Sequence, residues 1–197
     1  MTTTDTGLQP VALPTPDRPD AGLILASVWR TEGPDHQRRV MSGVMDAWEV
    51  AQLPAAYLAR HCLAGSDGRT ILNFAQWTDP DAHLAFAADP RNQQTLGSAI
   101  QALYSADPPG RYAPYRFTGR HDGAVRYFTA TRHATEDADT ARSLADELAE
   151  RSSAALGQSF YVGEDGRQLL ALAGFEIEPA GASLWFRPFR GLTRSPR

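Results

Sequence analysis

A chain of 197 residues, 42% hydrophobic and 21% charged, has the make-up of a folded globular protein with one large domain or two small ones. Its formal net charge of −4 offers no long-range attraction to nucleic acid or to anionic membranes, so neither is expected as a partner. All 19 basic residues are arginine, which excludes Schiff-base and lysine-nucleophile chemistry, and the single cysteine, Cys62, excludes an intramolecular disulfide and a multi-cysteine metal site.

The first 20 residues are rich in Thr, Pro and Asp with no hydrophobic period, and read as a flexible lead or as an arm lying over a partner. They lack the basic and apolar regions of a secretion signal, no later run approaches ~18 apolar residues, and a cytoplasmic location is expected. GLILASVWRT (22–31) predicts a strand. Pro34 and Asp35 then open a helix whose apolar residues Val40, Met41, Val44, Met45 and Trp48 recur at steps of three and four. AAYLARHCLAG (55–65) and RTILNFAQW (69–77) predict two strands joined by an SDG turn, with Cys62 packed as a small hydrophobe. Asp79 and Pro80 supply the cap and first turn of a second helix, which carries His83, Leu84 and Phe86 and breaks near Pro90. RNQQTLGSAIQALY (91–104) predicts a resumed helix, and RYAPYRFTG (111–119) a closing strand. Over residues 21–120 the order β-α-β-β-α-β is ferredoxin-like.

Residues 121–192 echo this unit. GSDGRTILNFAQW (65–77) aligns without a gap on GEDGRQLLALAGF (163–175), VRYFTATRH (125–133) repeats the first strand, and the stretch from Glu136 to about Ser153 repeats the helix, with Ala141, Leu144, Ala145 and Leu148 on one face. Four or five residues around EPAGA separate the strand ending near Ile177 from SLWFRPF (183–189), so the second copy has no room for its second helix. The expected fold class is α+β, two ferredoxin-like repeats packed as a barrel-type intramolecular pseudo-dimer. A further homodimer stays open.

Candidate site residues come from the strand at 70–77. Period two places Ile71, Asn73, Ala75 and Trp77 on one face and Leu72, Phe74 and Gln76 on the other. Asparagine is disfavoured inside a strand, and its counterpart in the second copy is Ala171, so Asn73 is not required to build the hairpin. It is better explained as a hydrogen-bonding group facing a cavity than as a satisfied core residue. Trp77, whose counterpart is Phe175, shares that face, and His83 on the next helix joins it as a pocket rim. His61 is a further candidate, because its strand pairs with that of Asn73, and its facing is not fixed by sequence. No dinucleotide fingerprint, phosphate loop or histidine-carboxylate cluster at metal-ligand spacing is present.

The run ILNFAQWTDPDAHLAF (71–86), an Asn three residues before a Gln-Trp pair and then an acidic turn and a helix, resembles the antibiotic biosynthesis monooxygenase family over residues 22 to 118. The resemblance implies an α+β barrel around an aromatic substrate, here with a pocket of Trp29, Ile71, Ala75 and Phe86. In relatives that oxidise anthrone-type polyketides to quinones, residues matching Asn73 and Trp77 help to form a substrate anion that itself reacts with molecular oxygen, with no flavin, haem or metal. Some of those enzymes place a tyrosine where this chain has His83. Haem-degrading relatives place a ligand histidine where this chain has Ala87 and Ala88, which disfavours haem.

The residues by themselves fit a mostly apolar small-molecule pocket in which His83 or His61 takes a phenolic proton and Asn73 stabilises the oxyanion. A non-oxidative cyclase or isomerase would need the same groups. An accessory binding protein would keep the scaffold and lose them.

Overall fold

A computed structural model of the chain describes residues 7–98, 108–121, 123–151 and 154–195. Among the described residues nine strands form one antiparallel sheet: β1 (Leu8–Val11), β2 (Leu23–Arg30), β3 (Tyr57–Gly65), β4 (Thr70–Trp77), β5 (Gly110–Gly119), β6 (Tyr127–Ala134), β7 (Gly157–Gly163), β8 (Gln168–Phe175) and β9 (Phe186–Arg194). The helices are α1 (Pro34–Glu49), α2 (Pro80–Ala88), a short α3 (Pro90–Asn92) that runs into a π-helical turn (Gln93–Gly97), and α4 (Ala138–Glu150). Residues 99–104 of the predicted third helix lie outside the described residues.

The strands run β9-β3-β4-β2-β5-β7-β8-β6, and β6 meets β9 again through Phe128 and Phe186, which closes the sheet into a barrel. Each half gives its last strand to the other. β5 lies on β2 and continues onto β7, from Tyr112 opposite Gly163 to Gly119 opposite Gly157. In return β9 lies on β3, from Ala59 opposite Thr193 to Gly65 opposite Phe186. No edge of either hairpin is left open by this exchange, the usual liability of a sheet.

Period two divides the core into layers. Ile71, Ala75 and Trp77 face α1, whose buried residues Val40, Met41, Val44, Met45 and Trp48 cover them. Leu72 and Phe74 face inward and meet Tyr112, Phe128, Tyr161, Leu170 and Leu172, so the barrel interior is shared by both halves. In the second half Phe160, Val162 and Leu169 pack under Ala141 and Ala145 of α4. Gln37 locks α1 over the first hairpin by donating to the carbonyls of Thr70 (2.7 Å) and Gly65 (3.3 Å). Both hairpin turns use an aspartate that accepts from the backbone two residues on, Asp67 from Arg69 and Asp165 from Arg167, each followed by a left-handed glycine, Gly68 and Gly166. Between β8 and β9 there is no helix.

The N-terminal segment departs from the expected flexible lead. From Leu8 it is ordered, since β1 pairs with β9 and the following residues close one mouth of the barrel. The carbonyl of Pro16 accepts from Gln76 of β4 (3.4 Å) and from Tyr161 of β7 (2.9 Å), and buried Arg18 binds Asp20, Thr193 and the carbonyl of Arg194. Four prolines and polar side chains hide this from a reading based on hydrophobic period, because the segment is held by its backbone.

Candidate active site

Strand register decides which side chains meet Asn73. On β3 Cys62 stands opposite Asn73 and Arg60 opposite Ala75, so both look toward α1. Alternation would turn Tyr57 to the opposite face, along with Ala59 and His61. A bulge between Tyr57 and Ala59 resets the phase, bringing Tyr57 opposite Trp77 on the Asn73 face. The two rings meet edge to face with centroids 4.9 Å apart.

The resulting cluster is rich in donors and poor in acceptors. Asn73, 4% exposed, uses its Oδ1 to accept from Arg60 Nη2 (3.1 Å) and from the Cys62 thiol (3.2 Å). Its Nδ2 has no hydrogen-bond partner, and neither do Trp77 Nε1, Trp48 Nε1 and Arg60 Nε. The Tyr57 hydroxyl lies near Arg60 and Trp48 without a hydrogen bond of good geometry. An unmet buried donor costs about 1–3 kcal/mol, so a core optimised for stability does not collect them on one face. Burial pushes the Cys62 thiol and the Tyr57 phenol up, against the pull of Arg60, so both stay neutral near pH 7.

His83 is half-buried, its ring 5.1 Å from that of Trp77 at 77°. Its Nδ1 is 2.6 Å from Arg111 Nη1, and Arg111 is held in turn by Glu164 on the far half. Because a guanidinium can only donate, Nδ1 is the acceptor and the neutral ring carries its proton on Nε2. Burial and Arg111 both lower the His83 pKa, with Glu164 raising it. This corrects the expected role of His83 as a base: with Arg111 in place it presents an N–H.

His61 is corrected outright. Opposite Phe74 and Gly191, it faces away from Asn73, and a Cβ at Gly191 would stand 2.3 Å from its Nδ1. Burial, then Arg18 and Arg60, push its pKa down to about 3, so it is a neutral core histidine. Of the expected pocket residues, Trp29, Ile71 and Ala75 are buried in the cluster, and Phe86 packs against it.

A cleft of about 800 Å³ opens beside this cluster, between the segment following α1 and the α2-α3 side, and is lined by Ala51, Leu53, Ala82, Phe86, Asn92 and Leu96 among others. Phe86 is the link, since it lines the cleft and its ring centroid is 5.3 Å from that of Trp77. No residue of α2 is buried, although Ala82 and Phe86 pack against the cluster, so this wall is itself partly open to solvent. Sequence reasoning missed Arg60, Tyr57 and Cys62 as members of the cluster. Cys62 and Arg60 were open to the same alternation that linked Asn73 to Trp77; Tyr57 was hidden by the bulge.

The second half supplies an internal comparison. In the β7–β8 hairpin Gln158 stands opposite Ala173 and Phe160 opposite Ala171, as Arg60 stands opposite Ala75 and Cys62 opposite Asn73 in the β3–β4 hairpin. Phe160 is fully buried where the first half keeps a thiol, so the fold is satisfied by an apolar fill.

No family model matches the sequence, and no curated protein matches it significantly. Solved structures share the fold. An anthrone oxidase-like protein superposes with a TM-score of 0.66 at 11% identity, over 95% of this chain and 97% of its own. A candidate monooxygenase of Fusobacterium nucleatum gives 0.59 at 7% identity, over 89% and 95%. Another, of Lactobacillus acidophilus, gives 0.53 at 8% identity, over 86% and 94%. The chain therefore has the α+β fold of these monooxygenase-like proteins.

Proposed function

We propose that the chain is a monooxygenase that oxidises a polycyclic aromatic polyketide, an anthrone or phenol, to the quinone in antibiotic biosynthesis, using molecular oxygen without flavin, haem or metal. The observation that carries this reading is the pair of unpartnered donors, Asn73 Nδ2 and Trp77 Nε1, on one strand face behind an open cleft. The fold shared with an anthrone oxidase-like protein supports the reaction class.

In the proposed reaction the anthrone methylene loses a proton to water in the cleft, and the resulting enolate oxygen accepts from Asn73 Nδ2 and Trp77 Nε1, which have no other partner. The enolate carbon gives its electrons to O2, a C–O bond forms, the peroxide oxygen takes back the proton given to water, and the hydroperoxide loses water to leave the second carbonyl. One oxygen atom ends in the quinone and the other in water. All four electrons come from the substrate, so no external reductant is needed. His83 offers Nε2–H beside Trp77.

The second half reads as a duplicate of the first ferredoxin-like unit, the two forming a pseudo-dimer in which chemistry is kept in one unit. Its support is the constant alignment of the two hairpins and their matching turns. The test is oxidation of an anthrone under 18O2 in chelator-treated, flavin-free buffer. One labelled atom per quinone is expected; a quinone without label, or no turnover across a panel of anthrones, would refute the assignment.

A further inference from the structure

We infer that the pocket selects its ligand as an anion, a planar aromatic carrying an ionised oxygen, and that Arg60 is the residue that selects it. This deepens the proposed function and rests on it for the aromatic character of the ligand.

Arg60 is 8% exposed, and among the described residues no carboxylate stands within 4 Å of it. Arginine keeps its charge in proteins, and an unpaired buried charge is strongly unfavourable. Its known contacts are weak counterweights. The guanidinium carbon lies 4.1 Å from the Trp48 ring centroid, and Nη2 donates to the neutral Asn73 amide. The two nearest ionisable side chains, Cys62 and Tyr57, are neutral for the reasons given above. Nearby acids are already engaged: Asp46 and Glu49 of α1 both bind Arg190.

The fold does not require this charge, since Gln158 holds the corresponding place on β7, with Phe160 and Ala171 beside it in an apolar cluster. What remains is a cationic centre with an unused Nε–H, flanked by the unused N–H groups of Asn73 and Trp77. Every unmet side-chain nitrogen there is a donor, the unmet Tyr57 hydroxyl beside Arg60 is neutral, and the missing partner is an acceptor with negative charge. Phe86 both lines the cleft and packs on Trp77, which ties the cleft to these groups.

The test uses a compound that binds without reacting, 1,8-dihydroxyanthraquinone, with anthraquinone as the neutral control. Ionisation of the phenol is followed by its visible absorbance. Bound to wild type, the phenol should ionise at a pH at least one unit below that of the free compound, and Arg60→Met should abolish that shift and weaken binding of the ionised form at least tenfold. Binding of neutral anthraquinone should be unchanged in Arg60→Met. Asn73→Asp is the companion variant: a carboxylate beside Arg60 should raise the melting temperature and abolish the shift as well. An unaltered phenol titration in Arg60→Met would overturn the inference, as would a wild type that binds neither compound. Loss of the oxygenase reading has a different signature, no oxygen uptake with the phenol shift intact.

Discussion

At the residue scale, Asn73 has two jobs that can be separated. Its Oδ1 holds Arg60 and Cys62, and its Nδ2 is idle. Asn73→Ala should therefore lower turnover roughly 10²-fold, the size of losing one oxyanion donor, and also cost about 1–3 kcal/mol in chemical denaturation because Arg60 loses its acceptor. Trp77→Phe behaves differently. The indole N–H is unpartnered, so its loss removes no hydrogen bond, and stability measured by urea unfolding should stay within about 1–2 kcal/mol while turnover falls. Asn73 and Trp77 were legible in the sequence because a polar residue inside a strand is conspicuous and alternation fixes its neighbours. Arg60 lay on the same alternation but was passed over, since an arginine in a strand ordinarily reads as solvent-facing. The facing of His61 was left open by the sequence and is settled by the β3–β4 register, which sets it opposite Phe74 and away from Asn73.

At the element scale, the strands from β2 onward and α1, α2 and α4 were legible from hydrophobic period, caps and turns: Asp79 and Asp137 accept from the backbone of Ala82 and Thr140 as helix caps do. What escaped was held by the backbone. The bulge at Tyr57/Ala59 leaves no composition signal, and the N-terminal segment is fastened through carbonyls and one arginine. Arg18→Ala should lower stability by about 2–3 kcal/mol in a urea titration, less than for a fully buried pair because Asp20 is partly open to solvent. The site lies on the opposite face of β4 from this segment, so kcat should change little. Between β5 and α2, Arg111 links His83 to Glu164. Burial and Arg111 depress the His83 pKa, so the proton on Nε2 is retained as the sole ring proton above that value. The rate should then hold level as pH falls through about 6.5 and decline only further down. A rate that halves near 6.5 in wild type and not in His83→Ala would instead restore the base.

At the scale of the whole molecule, the halves are joined by the exchange of β5 and β9, so neither is expected to fold as an independent monomer. Residues 1–120 expressed alone would leave β3 without β9, and size-exclusion chromatography should show self-association or aggregation, not a monomer. The barrel interior also carries an acid liability. The unfolded chain protonates His61 near 6.5, whereas the folded protein does so near 3, so stability is lost as pH falls across that window by up to about 1.4 kcal/mol per pH unit for this one group. His83 and His121, both lowered by burial first, add to it in the same direction. His61→Asn should flatten the slope of urea stability between pH 6.5 and 4.5. The placement of chemistry in one half, on the face that carries Asn73, is tested most directly by oxygen uptake with a saturating anthrone in wild type and Asn73→Ala. The expected result is a fall of roughly 10² in the variant, as for a lost oxyanion donor; equal uptake by the two proteins would contradict it.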